Sequence, residues 1–403
     1  MVIIMNRIFP LTLAVSAALL TACGGSSSSS NNTPSDITDP VVDESGYTVI
    51  ITQAVYGSGS EVALADAGNL ADITDGYYAD VATDYFTASY DGFYWYIGRE
   101  GIDTISKYDP EMPNANYYGN NGYSLLDNEQ SSSSNVHSMA FVSSDRAILT
   151  RYGQNTAWIV NPEAQNQSDF KVGELDLNAY HAADDTVTPY PEMDDIALYD
   201  GKAFITMQRL GNDQEGGGYA YARAPYLAVF DTDSYAEIDT DEEAAGLNGI
   251  ELDITNPINI ATDGSNLYVQ GITYDSSYTG GLVKIDMDTY AQETVFDPAL
   301  TSTSISDVAI AGDKIFVVVY HGWQNNDLAV VNSDGSLTTV AGFTGINIGF
   351  ITSGPDGDLW LGRGDDGSNS AALLHISPVD YAVVDSVNTN LDPIGISFVD
   401  NQL

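Results

Sequence analysis

The chain has 403 residues, 57 of them acidic and 12 basic, for a formal charge of −45, and 43% of it is hydrophobic. So negative a surface excludes a nucleic-acid partner and attraction to anionic lipid headgroups, because both are polyanions. With Cys23 as the only cysteine, a disulfide framework and a thiolate metal site are excluded as well.

The chain opens on MNRIFPLTLAVSAALLTAC (5–23): a basic residue, Arg7, then an apolar run, then Leu20, Thr21, Ala22 and Cys23. The run is too short for a membrane span, and the small residues at its end suit a processing site. This stretch resembles the bacterial lipobox. The resemblance implies a lipoprotein signal peptide over 1–22, cleavage before Cys23, and acylation of that cysteine by chains such as palmitate. Residues 24–40, GGSSSSSNNTPSDITDP, are small and polar, so 23–46 is predicted to be a flexible tether. Gly24 rather than Asp after the cysteine implies, by the same resemblance, an anchor in the outer membrane, on its periplasmic or its cell-surface side.

From Tyr47 one unit repeats. YTVIITQ (47–53) and EVALAD (61–66) read as strands, and after them an apolar run, a tight turn and a second β-rich run recur. The turn and second run are DGFYWYIG from Asp91, SDRAILT from Ser144, DGKAFIT from Asp200, DGSNLYV from Asp263, GDKIFVVV from Gly312 and DGDLWLG from Asp356. A third run ends each unit on a short polar residue: Asp66, Asp109, Asn161, Asp231, Asp286, Asn332 and Ser377. These landmarks lie 43, 52, 70, 55, 46 and 45 residues apart. Four-stranded propeller blades have a period of about 40–50 residues. The C-terminus, PIGISFVD (393–400), is an inner-strand pattern with no later strands, whereas the repeats begin on outer-strand patterns with no inner one. The predicted fold is therefore all-β, a seven-bladed β-propeller of four-stranded blades over 47–403. Its N- and C-terminal strands share one blade, which closes the ring and leaves no sheet edge free.

In such a blade the turns after strands one and three share one face, and the loops after strand two and between blades share the other. The second set varies in length and composition, which is where binding residues concentrate. Arg99, Arg151, Arg209, Tyr274, His321, Trp323 and Arg363 follow second strands, and Arg223 lies in the long loop GGGYAYARAPY (216–226). Of the arginines beyond the signal peptide, only Arg146 falls elsewhere. A guanidinium fork pairs with carboxylate, phosphate or catecholate oxygens, and Tyr219, Tyr221, Tyr226 and Tyr320 add stacking faces. These residues are the candidate ligand-binding set. Two other readings stand beside it: the arginines tie loops together through Asp103, Asp213, Asp327, Asp365 or Asp366, or the face docks another envelope protein.

His137, Asp194, Asp195, Asn259 and Asp307 are expected near the mouth of the central channel, as strand-end residues or as oxygen and nitrogen ligands of a metal. The acidic run 231–243 lacks the glycine of an EF-hand loop, and His375, inside LLHIS, reads as structural. No nucleophile elbow, zinc-protease helix or P-loop is present in the sequence, so no catalytic residue is assigned.

The strand, Asp-Gly turn, strand pattern resembles the broad superfamily of bacterial propellers with YVTN-type repeats, over about residues 47–403. With the lipid anchor it looks like surface lipoproteins that capture ligands, siderophores among them, beside outer-membrane transporters. The resemblance implies a binding protein for a small anionic ligand or a metal-chelate such as a ferric siderophore, held to the membrane by lipid, with a transporter or other envelope protein as partner and no assigned cofactor. The alternatives are a docking scaffold and a lyase or hydrolase acting in the central pocket.

Overall fold

The computed structural model describes residues 46–128, 131–181, 190–212, 219–220, 223–243, 245–274 and 278–402; the expected signal peptide, Cys23 and nearly all of the expected tether lie outside them. Seven four-stranded antiparallel sheets form the body. Blade I takes its inner strand from the C-terminus, Pro393–Asp400, and continues with Tyr47–Val55, Gly59–Asp66 and Asn69–Asp80. Blade II is Tyr85–Tyr90, Phe93–Gly98, Thr104–Tyr108 and Tyr123–Ser124; blade III is Val136–Ser143, Arg146–Arg151, Thr156–Val160 and Lys171–Asp176. Blade IV is Met193–Tyr199, Lys202–Met207, Tyr226–Asp231 and Ile250–Glu251, with a small hairpin, Gly211–Asn212 and Tyr219–Ala220, in its long loop. Blade V is Pro257–Thr262, Asn266–Gly271, Gly281–Asp286 and Gln292–Phe296. Blade VI is Ser304–Ala311, Lys314–Tyr320, Asn326–Val331 and Leu337–Thr339, and blade VII is Ile348–Ser353, Leu359–Arg363, Ala372–Ile376 and Val383–Asn388. Each inner strand neighbours the inner strands of both flanking blades, and blade VII closes on blade I. The predicted seven blades and shared closing blade are what the chain forms.

The blades stack because strand side chains alternate between two faces and both faces of each sheet are apolar. In blade IV, Ala228 and Phe230 point into the gap with blade III, while Leu227 and Val229 point into the gap with blade V. In blade I, Ile50 faces blade II while Val49 and Ile51 face blade VII. The result is one buried cluster in each of the seven gaps. A ring of gaps, rather than a single central core, holds the protein together.

Turn chemistry sets the inner edge. Asp91 and Gly92 have φ of 50° and 77°, and Asp200 and Gly201 have 43° and 72°. Positive φ at both central positions is the type I′ hairpin, whose twist matches that of the strands it joins. Further along, the inner strands of blades III to VII each carry a register shift against their second strand. Such a bulge re-aims a polar side chain. Thus Asp195 accepts hydrogen bonds from Ser138 Oγ of blade III at 2.8 Å and from the Ile260 N–H of blade V at 2.9 Å. Asp307 accepts from the Ile351 N–H of blade VII at 2.8 Å, and Asn259 Nδ2 donates to the Ser306 carbonyl of blade VI at 3.3 Å. These contacts tie blades III to VII, each to the next, around the channel.

Candidate functional site

The expected site residues fall into two groups. Arg99 and Arg151 are buried, 6% and 1% exposed. Arg151 Nη2 donates to Asp127 Oδ2 at 2.6 Å and to Ser134 Oγ at 3.1 Å, and its guanidinium lies 4.3 Å from the Trp158 ring centre. Arg209, half-buried, donates to the carbonyls of Tyr180 and Ala224 at 2.8 and 2.7 Å and sits over Tyr226. Arg223 donates to the Leu210 carbonyl at 3.4 Å and Arg363 to that of Ser370 at 3.1 Å. The five arginines thus do not converge on one solvent-filled patch; each has a partner within its own loops or a neighbouring blade. Tyr221 lies outside the described residues.

Arg99 anchors a cluster that crosses three blades. It lies 3.5 Å from Asp84 and donates to His137 Nε2 at 2.7 Å. Because arginine has no acceptor, that ring nitrogen must be the bare one, so Nδ1 carries the proton and donates to Asp194 Oδ1 at 3.0 Å. Gln208 donates to the other Asp194 oxygen and accepts from Tyr152, whose ring stacks on His137 at 4.5 Å. Burial and the adjacent Arg99 charge hold His137 well below its ordinary pKa. Both its nitrogens are engaged in a neutral ring that is 3% exposed. This is the arrangement of a clamp between blades II, III and IV.

The same burial acts on the channel carboxylates. It pushes Asp194 up to about 8, against the opposing charge of Arg99, and Asp195 and Asp307 up to about 7, against the backbone donors that each accepts. A carboxyl whose folded pKa lies above its unfolded one is still protonated in the native state where the unfolded chain has lost its proton. Stability therefore falls as pH rises through that window, toward the folded pKa. Between pH 6 and 8, Asp195 and Asp307 are each expected to cost about 1 kcal/mol. Surface carboxylates are already ionised throughout that range and do not contribute; Asp194 adds to the loss, and His137, kept neutral in the fold, offsets part of it near the pKa of an unfolded imidazole. The unfolding midpoint, followed by circular dichroism, should be lower at pH 8 than at pH 6, and Asp307→Asn should reduce that difference. An equal or higher midpoint at pH 8 would contradict the assignment.

Among the described residues, the loop face opens into a groove between blades V and VI. Thr273, Tyr274 and Tyr278 come from the loop after the second strand of blade V, Ser302 and Thr303 from the connection to blade VI, Ser304 from the first position of its inner strand, and Tyr320 and His321 from the end of its second strand. Together they line a groove of about 400 Å³. Tyr274 and Tyr320 meet edge to face, 5.6 Å between centres. Ser302, in the left-handed region at φ 53°, ends the short helix Pro298–Thr301 and turns the chain toward the groove. Ser304 Oγ donates to the Thr273 carbonyl at 3.1 Å, joining the two blades beneath it. His321 Nε2 lies 3.1 Å from Asp327. Trp323, in the same loop, is 69% exposed.

Of the predicted set, Tyr274 and His321 therefore share one concavity with Tyr320, and Trp323 stands two residues beyond. Sequence reasoning missed Thr273, Tyr278 and Ser302 to Ser304. Their signal was weak, since hydroxyl residues in a blade-to-blade connection look like any loop. A second cluster, Asp356, Asp358 and His375, lies on the opposite face at the first turn of blade VII.

No family model and no curated protein matches the sequence. Solved structures do match in fold. A putative 6-phosphogluconolactonase from Bacteroides fragilis aligns over 90% of this chain and 100% of its own, at 11% identity and a TM-score of 0.55. Virginiamycin B lyase from Staphylococcus aureus aligns over 79% of this chain and 91% of its own, at 13% identity and a TM-score of 0.49. AztD from Citrobacter koseri aligns over 86% and 83%, at 13% identity and a TM-score of 0.46. At such identities the likeness is one of fold alone.

Proposed function

We propose that this protein is a lipid-anchored binding protein of the cell envelope that captures a small, oxygen-rich, ring-bearing ligand in the groove between blades V and VI. The observation that carries this reading is the groove itself: two tyrosine rings in contact, a third tyrosine, a histidine and four hydroxyl side chains around about 400 Å³, on the face with the variable loops. A pocket of that size suits a small molecule, with rings to stack on and hydroxyls to fix orientation. The arginines, engaged elsewhere, give little support to a multiply charged anion. Among the described residues lining the groove, His321 is the one basic side chain, and it is paired with Asp327. A catecholate or hydroxylated ring, free or in a metal-chelate, fits better than citrate. The anchor at Cys23 would hold the ring near the membrane for transfer to a transporter.

The test is a fluorescence and calorimetric titration of the full chain with catechols, their ferric complexes, ferric citrate and simple sugars. Tyr320→Ala and Tyr274→Ala should each weaken binding about tenfold, the loss of one aromatic contact of about 1.4 kcal/mol. Arg363→Ala, outside the groove, should leave it unchanged. Saturable binding indifferent to both tyrosines, or none across the panel, would remove the reading. A second reading, a docking surface for another envelope protein, is favoured by the exposure of Trp323 beside the groove. Co-purification of one partner that Trp323→Ala abolishes would support it.

A further inference from the structure

Blade VII holds a set of side chains on the face opposite the groove. His375, on the third strand, pairs in register with Trp360 on the second and lies flat against its indole, 4.7 Å between centres and 5° between planes. Its Nε2 is 3.0 Å from Asp358 Oδ2 and 3.5 Å from Asp356 Oδ2. One ligand atom from each of the three residues lies within 4.8 Å of the other two. Asp356 is oriented from behind, because its Oδ1 accepts the Asp358 N–H at 3.0 Å. A second observation is independent of the acidic groups. Trp360 Nε1 is fully buried and has no hydrogen-bond partner. A Cβ on Gly354 would collide with both that nitrogen and Asp356 Oδ1, so the orphan donor and the carboxylate border one small space that glycine leaves open.

The repeat supplies an internal control. The strand pair that is Trp360 with His375 in blade VII is Trp95 with Lys107 in blade II, Phe204 with Val229 in blade IV, Tyr268 with Lys284 in blade V and Phe316 with Val330 in blade VI. The fold therefore does not require a histidine there, nor two aspartates at the turn before it.

We propose that Asp356, Asp358 and His375 form a binding site for a divalent transition-metal ion of the zinc class. Bonds of about 2.0–2.2 Å at tetrahedral angles set ligand atoms roughly 3.3–3.5 Å apart. The two His375 distances lie close to that spacing, and the two carboxylates, within 4.8 Å of each other, reach it by side-chain rotation. A nitrogen with two oxygens suits zinc or a similar ion, whereas calcium and magnesium take more oxygen ligands in larger shells. Two carboxylates balance the charge of a dication, and their mutual crowding is relieved: burial and the neighbouring Asp356 otherwise raise the pKa of Asp358. Three protein ligands leave one position for water, and a metal-held water gives the Trp360 N–H the acceptor that it lacks. The strand pairing and the indole stack fix the imidazole, while the hydrogen bond to Asp358 N–H fixes Asp356.

The experiment is calorimetric titration of the full chain, in detergent, with zinc chloride in excess calcium, which occupies the diffuse acidic surface. One saturable equivalent is expected, and His375→Gln and Asp358→Asn should each weaken it by at least about tenfold. Cobalt in place of zinc should give ligand-field absorption bands that His375→Gln removes. Zinc binding of undiminished affinity in His375→Gln, or no saturable zinc uptake beyond calcium, overturns the proposal. If the substituted chains do not fold, the parent decides alone: a paramagnetically shifted imidazole N–H resonance in the cobalt form is the expected result, and its absence counts against the site.

Discussion

Deleting residues 393–403 should abolish folding rather than weaken it. That segment is the inner strand of blade I, paired along Tyr47–Val55 from Asp400 opposite Tyr47 to Pro393 opposite Gln53. It buries Ile394, Ile396 and Val399, each under 10% exposed, against neighbouring blades. Three such side chains contribute about 5 kcal/mol or more, which approaches the whole stability of a typical domain, roughly 5–15 kcal/mol. The loss also opens the ring and exposes the paired edge of Tyr47–Val55, a template for aggregation. The expected result is a chain without a cooperative thermal transition that elutes as aggregate, and partial recovery when a peptide of residues 393–403 is added. A truncated chain with an unchanged midpoint would show that the ring does not depend on its closure.

Arg151→Ala is expected to cost about 1.5–3 kcal/mol, the range for losing a hydrogen bond to a charged group. The guanidinium is 1% exposed, bonded to Asp127 and Ser134 and stacked on Trp158, so its loss leaves a void beside an indole, while Asp127, partly exposed, keeps its second partner Lys171 at 3.1 Å. Arg151→Lys should recover only part, because an ammonium cannot bond both partners and lie flat on the ring. Chemical denaturation of the three proteins checks this. A midpoint unchanged in Arg151→Ala would mean that the arginine serves something other than the fold, and would return the loop-face arginines to candidacy as ligand donors.

The contrast between the two expectations shows where the sequence was readable. The seven strand-end landmarks, the Asp-Gly turns and the complementary chain ends come from local chemistry: alternation, turn propensity and a missing strand at each terminus. They led to the blade count and the closure that the structure has. The arginines were located on the correct loops, but a loop position does not say which way a long side chain turns. Arg99 turns toward His137 and Arg151 toward Asp127, in each case across a blade boundary or back beneath its own loop.

His375 shows the same limit from the other side. Inside LLHIS it reads as one more strand residue, and the turn DGD reads as one more turn. The eight residues between the second and third strands of blade VII hide the register that brings His375 beside Trp360, and so beside the two aspartates. The groove likewise joins residues from two blades, with Ser302 to Ser304 and Tyr320 separated by a whole hairpin.

By itself the sequence determined the β class, the repeat and the closed ring, because strand period, turn geometry and edge protection are all set by residues near one another in the chain. Only the tertiary structure decided which polar groups remain open to a ligand, which bind one another across blades, and which converge tightly enough for a metal. Those outcomes depend on the packing of neighbouring blades and on burial, which changes both the partners and the acidity of a side chain.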